Sequence, residues 1–126
     1  MKRLMKFLEE NSINWKHIVL TLLSGISAYI HLVLGLRIGL EPLGISFILA
    51  TLGFAAGSIL VILNYNRKII YLLGIPFLIS QIIAWYWLNG INIEMIPRAL
   101  NIYDLVDKTA QIILLILLTH LLREER

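Results

Sequence analysis

The sequence predicts an all-α, polytopic integral membrane protein folded as a four-helix bundle. Three observations carry this. Hydrophobic residues make up 59% of the chain, charged residues only 15%, and mean hydropathy is +0.82. The apolar residues fall into four runs long enough, or nearly so, to cross a hydrocarbon core of about 30 Å. Lys and Arg gather in the segments between alternate runs, as the positive-inside bias requires. At 126 residues the chain is read as a single transmembrane domain spanning 1–126.

Residues 1–14 form an N-terminal arm. Its first ten residues read as a short interfacial helix, with Leu4, Met5, Phe7 and Leu8 turned to lipid and Asn11-Ser12 breaking it. The charged start resembles a signal peptide, but the apolar run after Lys16 is too long for one and no small-residue cleavage site follows. Trp15 is placed as an interfacial anchor.

The first span covers about 17–40. At 100° per residue, His17, Ser24, Ala28, His31 and Gly35 share a stripe, with Leu20, Leu22, Leu23 and Ile30 mostly off it. Arg37, Glu41 and Pro42 close the span, since the residue before proline disfavours helix. The second span, about 43–63, places Ser46, Ala50, Gly53 and Gly57 on one face. Gly53-Phe-Ala-Ala-Gly57 is a small-xxx-small pattern that lets helices approach closely in lipid.

Asn64-Tyr-Asn-Arg-Lys68 is a tight polar turn. The third span, about 69–88, carries Gly74, Gln81 and Trp85 on one face, tolerates Pro76, and ends in the aromatic belt Trp85-Tyr-Trp87. Residues 89–100 make the longest loop, with a short helix begun at Pro97. The fourth span covers about 102–122.

That last span organises the chain. Its uncharged part, Thr109 to Leu122, is fourteen residues, or about 21 Å of helix, too short to cross. A crossing helix must therefore draw Asp107 and Lys108, with Asp104, into one edge of the membrane, where ionisable groups are costly and point into a bundle. Asp104, Asp107, Lys108 and Gln111 share a helix face. Placing the N-terminus in the cytoplasm puts eight Lys/Arg inside (2, 3, 6, 16, 67, 68, 123, 126) and three outside (37, 98, 108). The sequence thus predicts a cell-membrane protein with both termini cytoplasmic. In that orientation His31, Arg37, Gln81, Asp104, Asp107, Lys108 and Gln111 form a polar cluster in the outer half of the bundle, and Gly35, Gly53, Gly57 and Gly74 serve helix packing.

Two readings of the cluster follow. As a structural network, Arg37 pairs with Asp104 or Asp107, Asp104 with Lys108, and His31 with Gln111, each interhelical bond contributing about 0.6–2 kcal/mol. As a pocket, the same groups hold a small polar ligand or relay protons. The expected role is accordingly a non-catalytic accessory or structural subunit, or a self-associating bundle, with the lipid bilayer and other membrane subunits or itself as partners. The alternative is a small transporter or proton pathway lined by the cluster, and a further one is a haem- or quinone-associated redox subunit.

Other chemistry is not expected. The chain has no cysteine, which excludes disulfides and thiolate metal sites. His31 and His120 lie at different depths, and no spacing suits a metal, so neither metal nor cofactor is expected. There is no phosphate loop, nucleophile elbow or HExxH motif, so no enzyme activity is expected. A net charge of +3 beside apolar runs reflects topology and not nucleic-acid binding. No internal repeat supports an inverted-repeat transporter.

His31-Leu-Val-Leu-Gly35, Gly53-Phe-Ala-Ala-Gly57, Tyr71-Leu-Leu-Gly-Ile-Pro76 with Gln81 and Trp85-Tyr86, and Val106-Asp-Lys-Thr-Ala-Gln111 together resemble a small archaeal four-span membrane family of unknown function. The resemblance covers about 25–122 and leaves the arm outside; it implies the fold and a membrane location, but no activity. The small multidrug transporters, which depend on a carboxylate within the first span, are a poor match, because this span carries His31 and no acid.

Overall fold

A computed structural model describes residues 1–90 and 102–125, with side-chain surroundings for 1–87 and 105–125. Among these residues the structure is wholly helical: α1 (Lys2–Glu10), α2 (Trp15–Ile38), α3 (Pro42–Ile62), α4 (Arg67–Gly90) and α5 (Ile102–Glu124). Helices α2 to α5 are each long and apolar enough to cross a membrane. At 24, 21, 24 and 23 residues they run about 32–36 Å, so all four clear the hydrocarbon core. The chain is a membrane protein built as a helical bundle.

Each helix begins and ends for a local reason. Asn14 caps α2: its Oδ1 accepts from the Lys16 amide at 2.8 Å, while its own amide donates to His17 Nδ1 at 3.0 Å. These reciprocal bonds satisfy donors that a helix start leaves open. Pro42 occupies the first turn of α3, where its missing N–H costs nothing. Ser12, Asn64 and Asn66 adopt positive φ, and asparagine tolerates this region better than most residues. α4 continues through Asn89 and Gly90, two residues that the sequence reading assigned to the loop. The short helix expected at Pro97 lies outside the described residues.

The bundle closes in the order α2–α3–α4–α5, with α5 packed back on α2. α2 and α3 share the most extensive interface, and their corner shows why. A Cβ on Gly44 would lie 2.0 Å from the Gly39 carbonyl oxygen, and one on Gly35 would lie 2.8 Å from Ile48 and 3.0 Å from the Gly44 carbonyl oxygen. Gly39 itself has φ 89°, a conformation open mainly to glycine. Gly74 also meets α5 closely, its Cβ position 2.9 Å from the end of the Leu118 side chain.

The buried faces differ in part from the stripes expected of the sequence. On α2, His17, Ser24, His31 and Gly35 are buried, and so are Leu20 and Ile30, which helical counting put outside the stripe. On α3 the buried face is Gly44, Ala50, Phe54, Ser58 and Val61, while Ser46 and Gly53 are exposed. In an apolar helix nearly every residue is compatible with lipid, so periodicity alone cannot place the inward face. Gly53 instead receives the rim of the Phe77 ring, 3.0 Å from its Cβ position, and Gly57 has only Ile70 at 4.0 Å. The core comprises Leu20, Ala50, Phe54, Val61, Tyr71, Leu78, Leu114, Leu118 and Leu121.

The α2–α3 corner generates a paired prediction. Gly44→Ala must displace backbone and should destabilise by about 1–3 kcal/mol, as overpacking typically does. Gly25→Ala, which meets nothing within 4 Å, should be neutral or slightly stabilising. Unfolding by denaturing detergent, followed by circular dichroism, compares the two; equal midpoints would show that the corner is slack.

Candidate polar site within the bundle

His31 is the centre of the site. It is 3% exposed and lies about 10 Å below the end of α2 by helical rise. Phe47 and Phe54 of α3 enclose its ring, each with a centroid 5.5 Å away. Both ring nitrogens are engaged. Nδ1 is 2.8 Å from the Ser27 carbonyl oxygen, one turn back, and Nε2 is 3.0 Å from Gln81 Oε1 on α4. This last bond crosses the bundle diagonal.

Asp107 and Gln111 complete the site from α5. Asp107 is 3% exposed and Gln111 is fully buried. Asp107 Oδ1 lies 3.6 Å from His31 Nδ1, and Oδ2 lies 3.0 Å from Lys108 Nζ. The Lys108 ammonium also donates to Gln111 Oε1 at 3.0 Å and sits 5.8 Å from the centre of the Trp85 ring. Neighbouring residues on a helix point apart; the long lysine stem bends back to reach Asp107.

The structure thus brings together His31, Gln81, Asp107, Lys108 and Gln111. Their pairing differs from the network first expected: His31 meets Gln81 in place of Gln111, and Lys108 meets Asp107. Arg37 lies in the exposed last turn of α2. The side chain of Asp104 lies outside the described residues, and with it the expected pairings of Asp104 with Arg37 and Lys108. The remaining histidines are placed elsewhere. His17 Nδ1 accepts from the Asn14 amide in the α2 cap, and His120 pairs with Glu124 on its own helix at 3.0 Å. Among the described residues no three His, Cys, Asp or Glu side chains gather as a metal site.

Hydrogen-bond chemistry couples the charge of His31 to the orientation of the Gln81 amide. A carbonyl oxygen only accepts, so Nδ1 must donate to Ser27. With Gln81 Oε1 facing it, Nε2 must donate as well, and the ring is then an imidazolium held 3.6 Å from the Asp107 carboxylate. Turning the Gln81 amide by 180° presents an NH₂ group to Nε2 instead, which suits the neutral ring. One set of side chains therefore serves both protonation states. Among the described residues, Asp107 Oδ1, Gln111 Nε2 and Ser27 Oγ are also buried without a hydrogen-bond partner.

A residue outside the predicted site is equally constrained. Arg67 is 5% exposed and donates from Nε to Val61 O (2.8 Å), from Nη1 to Ser12 O (3.1 Å) and from Nη2 to Asn11 O (2.6 Å). It binds the arm to the α3–α4 turn. The sequence shows it only as a loop cation; a fork of donors beside an arm with exposed carbonyls leaves no spacing signal.

A family model described as "Family of unknown function (DUF7475)" matches residues 2–122. The match takes in the arm, which the resemblance seen in the sequence left outside. No curated protein and no solved structure matches the chain.

The ion pair can be tested by its asymmetry. Lys108→Met leaves Asp107 a buried, uncompensated charge and should destabilise by about 3 kcal/mol. The double variant Asp107→Asn/Lys108→Met removes both charges and should be more stable than Lys108→Met alone. Unfolding midpoints in mild detergent measure the difference; additive losses would mean that the two side chains do not interact.

Proposed function

We propose that this chain, which belongs to the DUF7475 family of unknown function, binds and releases a proton at the buried His31–Gln81–Asp107 site, as a small proton pathway or proton-coupled transporter. The observation that carries the reading is the buried His31 ring, whose Nε2 meets the Gln81 amide at 3.0 Å in a way that suits either ring charge, with the buried Asp107 carboxylate 3.6 Å from Nδ1. Histidine is the side chain most easily switched near neutral pH. Ionisable groups inside a membrane bundle mark function by default.

The second reading is the accessory or structural subunit. The close glycine contacts at Gly35, Gly44 and Gly74 support it, as does a cluster that ties α2, α4 and α5 together. In both readings we place the chain in the cell membrane with both ends cytoplasmic. The start of α2 meets the end of α5 through Lys16 and Glu124, so these two ends lie on one side, and the lysine and arginine distribution assigns that side. We also read the family as archaeal and four-spanning, from the motif resemblance.

Flux measurement separates the two. In proteoliposomes enclosing a pH-sensitive dye, the wild-type chain should dissipate an imposed pH gradient. Asp107→Asn and His31→Gln should each reduce the rate at least tenfold, with unfolding midpoints within a few degrees of wild type. A wild-type rate equal to that of protein-free vesicles, with Asp107→Asn unfolding the bundle, would establish the structural role instead.

A further inference from the structure

Below the His31 site, towards the other end of the bundle, the four spans leave a partly open pocket of about 60 Å³, with the exposed Gly53 of α3 at its rim. Most of its wall is apolar, but two hydroxyl-bearing side chains, Ser24 of α2 and Ser58 of α3, line it opposite Leu114 and Leu118 of α5. Ser58 is 9% exposed, and its Oγ has no hydrogen-bond partner among the described residues. A volume of this size exceeds the 10–15 Å³ or so that a water molecule requires, and a buried water needs two or more polar partners.

The cavity falls within a graded series of buried hydroxyls. Counting helical rise from the Arg67 end of the bundle, Ser58 and Tyr71 lie at about 6 Å, Ser24 at about 13 Å, Ser27 at about 18 Å and His31 at about 24 Å. Tyr71 and Ser27 are fully buried, and neither hydroxyl has a hydrogen-bond partner among the described residues. Orphaned hydroxyls in apolar surroundings are costly, and a bridging water is the usual remedy.

We infer that this cavity is a water site anchored by Ser24 and Ser58. Ser27, Tyr71 and His31 do not line it, so the site is the Ser24–Ser58 pocket alone. The water site does not rest on the proton-binding reading of His31.

Water-edited solid-state NMR of the full chain in lipid bilayers tests the site. Magnetisation from water should reach Ser24 and Ser58 Cβ several-fold faster than it reaches Leu20, and Ser58→Ala should slow the transfer to Ser24. Transfer to Ser24 and Ser58 as slow as to Leu20, or lipid acyl cross-peaks at both serines, would overturn the water site. Hydrated serines in a wild-type chain without flux would support the water site and reject the proton reading of His31.

Discussion

Hydrocarbon offers no partner to a charge, and the interior of this protein is arranged around that constraint. α5 crosses only by taking Asp107 and Lys108 below the membrane edge. Lys108 can extend its ammonium outwards over Trp85, but the short Asp107 side chain has no such escape. The carboxylate is held between Lys108 on one oxygen and the His31 ring near the other. His31 in turn reaches across the bundle to Gln81. Asp107, on α5, therefore constrains the relative placement of α2, α4 and α5, while α3 contributes the aromatic enclosure of Phe47 and Phe54.

The opposite end is organised by a second buried cation. Arg67 donates to three backbone carbonyls, at the end of α3 and in the connection from α1 to α2. A guanidinium suits this task because its planar fork offers five donors in fixed directions. Val61 O also accepts from the Asn64 amide at 3.1 Å, so the guanidinium adds a second bond there and joins the end of α3 to the carbonyls of Asn11 and Ser12. The arm is consequently attached to the bundle through its backbone, even though no side chain of α1 is buried. Lys16 and Glu124 add a contact between α2 and α5 at the same end.

Between these two polar ends the packing relies on missing side chains. Gly44 and Gly35 let α3 fold back against α2, and Gly74 admits Leu118. The α3–α4 seam packs least, and the serine-lined cavity lies beside it. Loose packing there and tight packing at the α2–α3 corner make the α2–α3 pair the firmer half of the bundle. Buried hydroxyls between the ends include those of Ser24, Ser27, Ser58 and Tyr71, and Thr51 donates across to Ala28 O of α2 at 3.1 Å.

The amino-acid sequence by itself determined the class of fold and the positions of the helices. Runs of twenty apolar residues can satisfy their backbone in lipid only as helices or closed barrels, and their length and lack of alternation select helices. Asn11-Ser12, Pro42 and the Asn64–Lys68 turn marked the breaks because polar turn residues and proline act locally. The sequence also marked His31, Gln81, Asp107, Lys108 and Gln111, with Arg37 and Asp104, as polar groups of the outer half of the bundle, since rise per residue converts position into height. Rotation about each helix axis was a different matter. Which nitrogen of His31 meets which amide, why Gly44 matters more than Gly53, and why Arg67 is buried were all decided by how neighbouring helices pack. In a membrane span nearly every side chain is apolar, so hydrophobicity carries little rotational information, and close contact between surfaces settles what the pattern leaves undetermined.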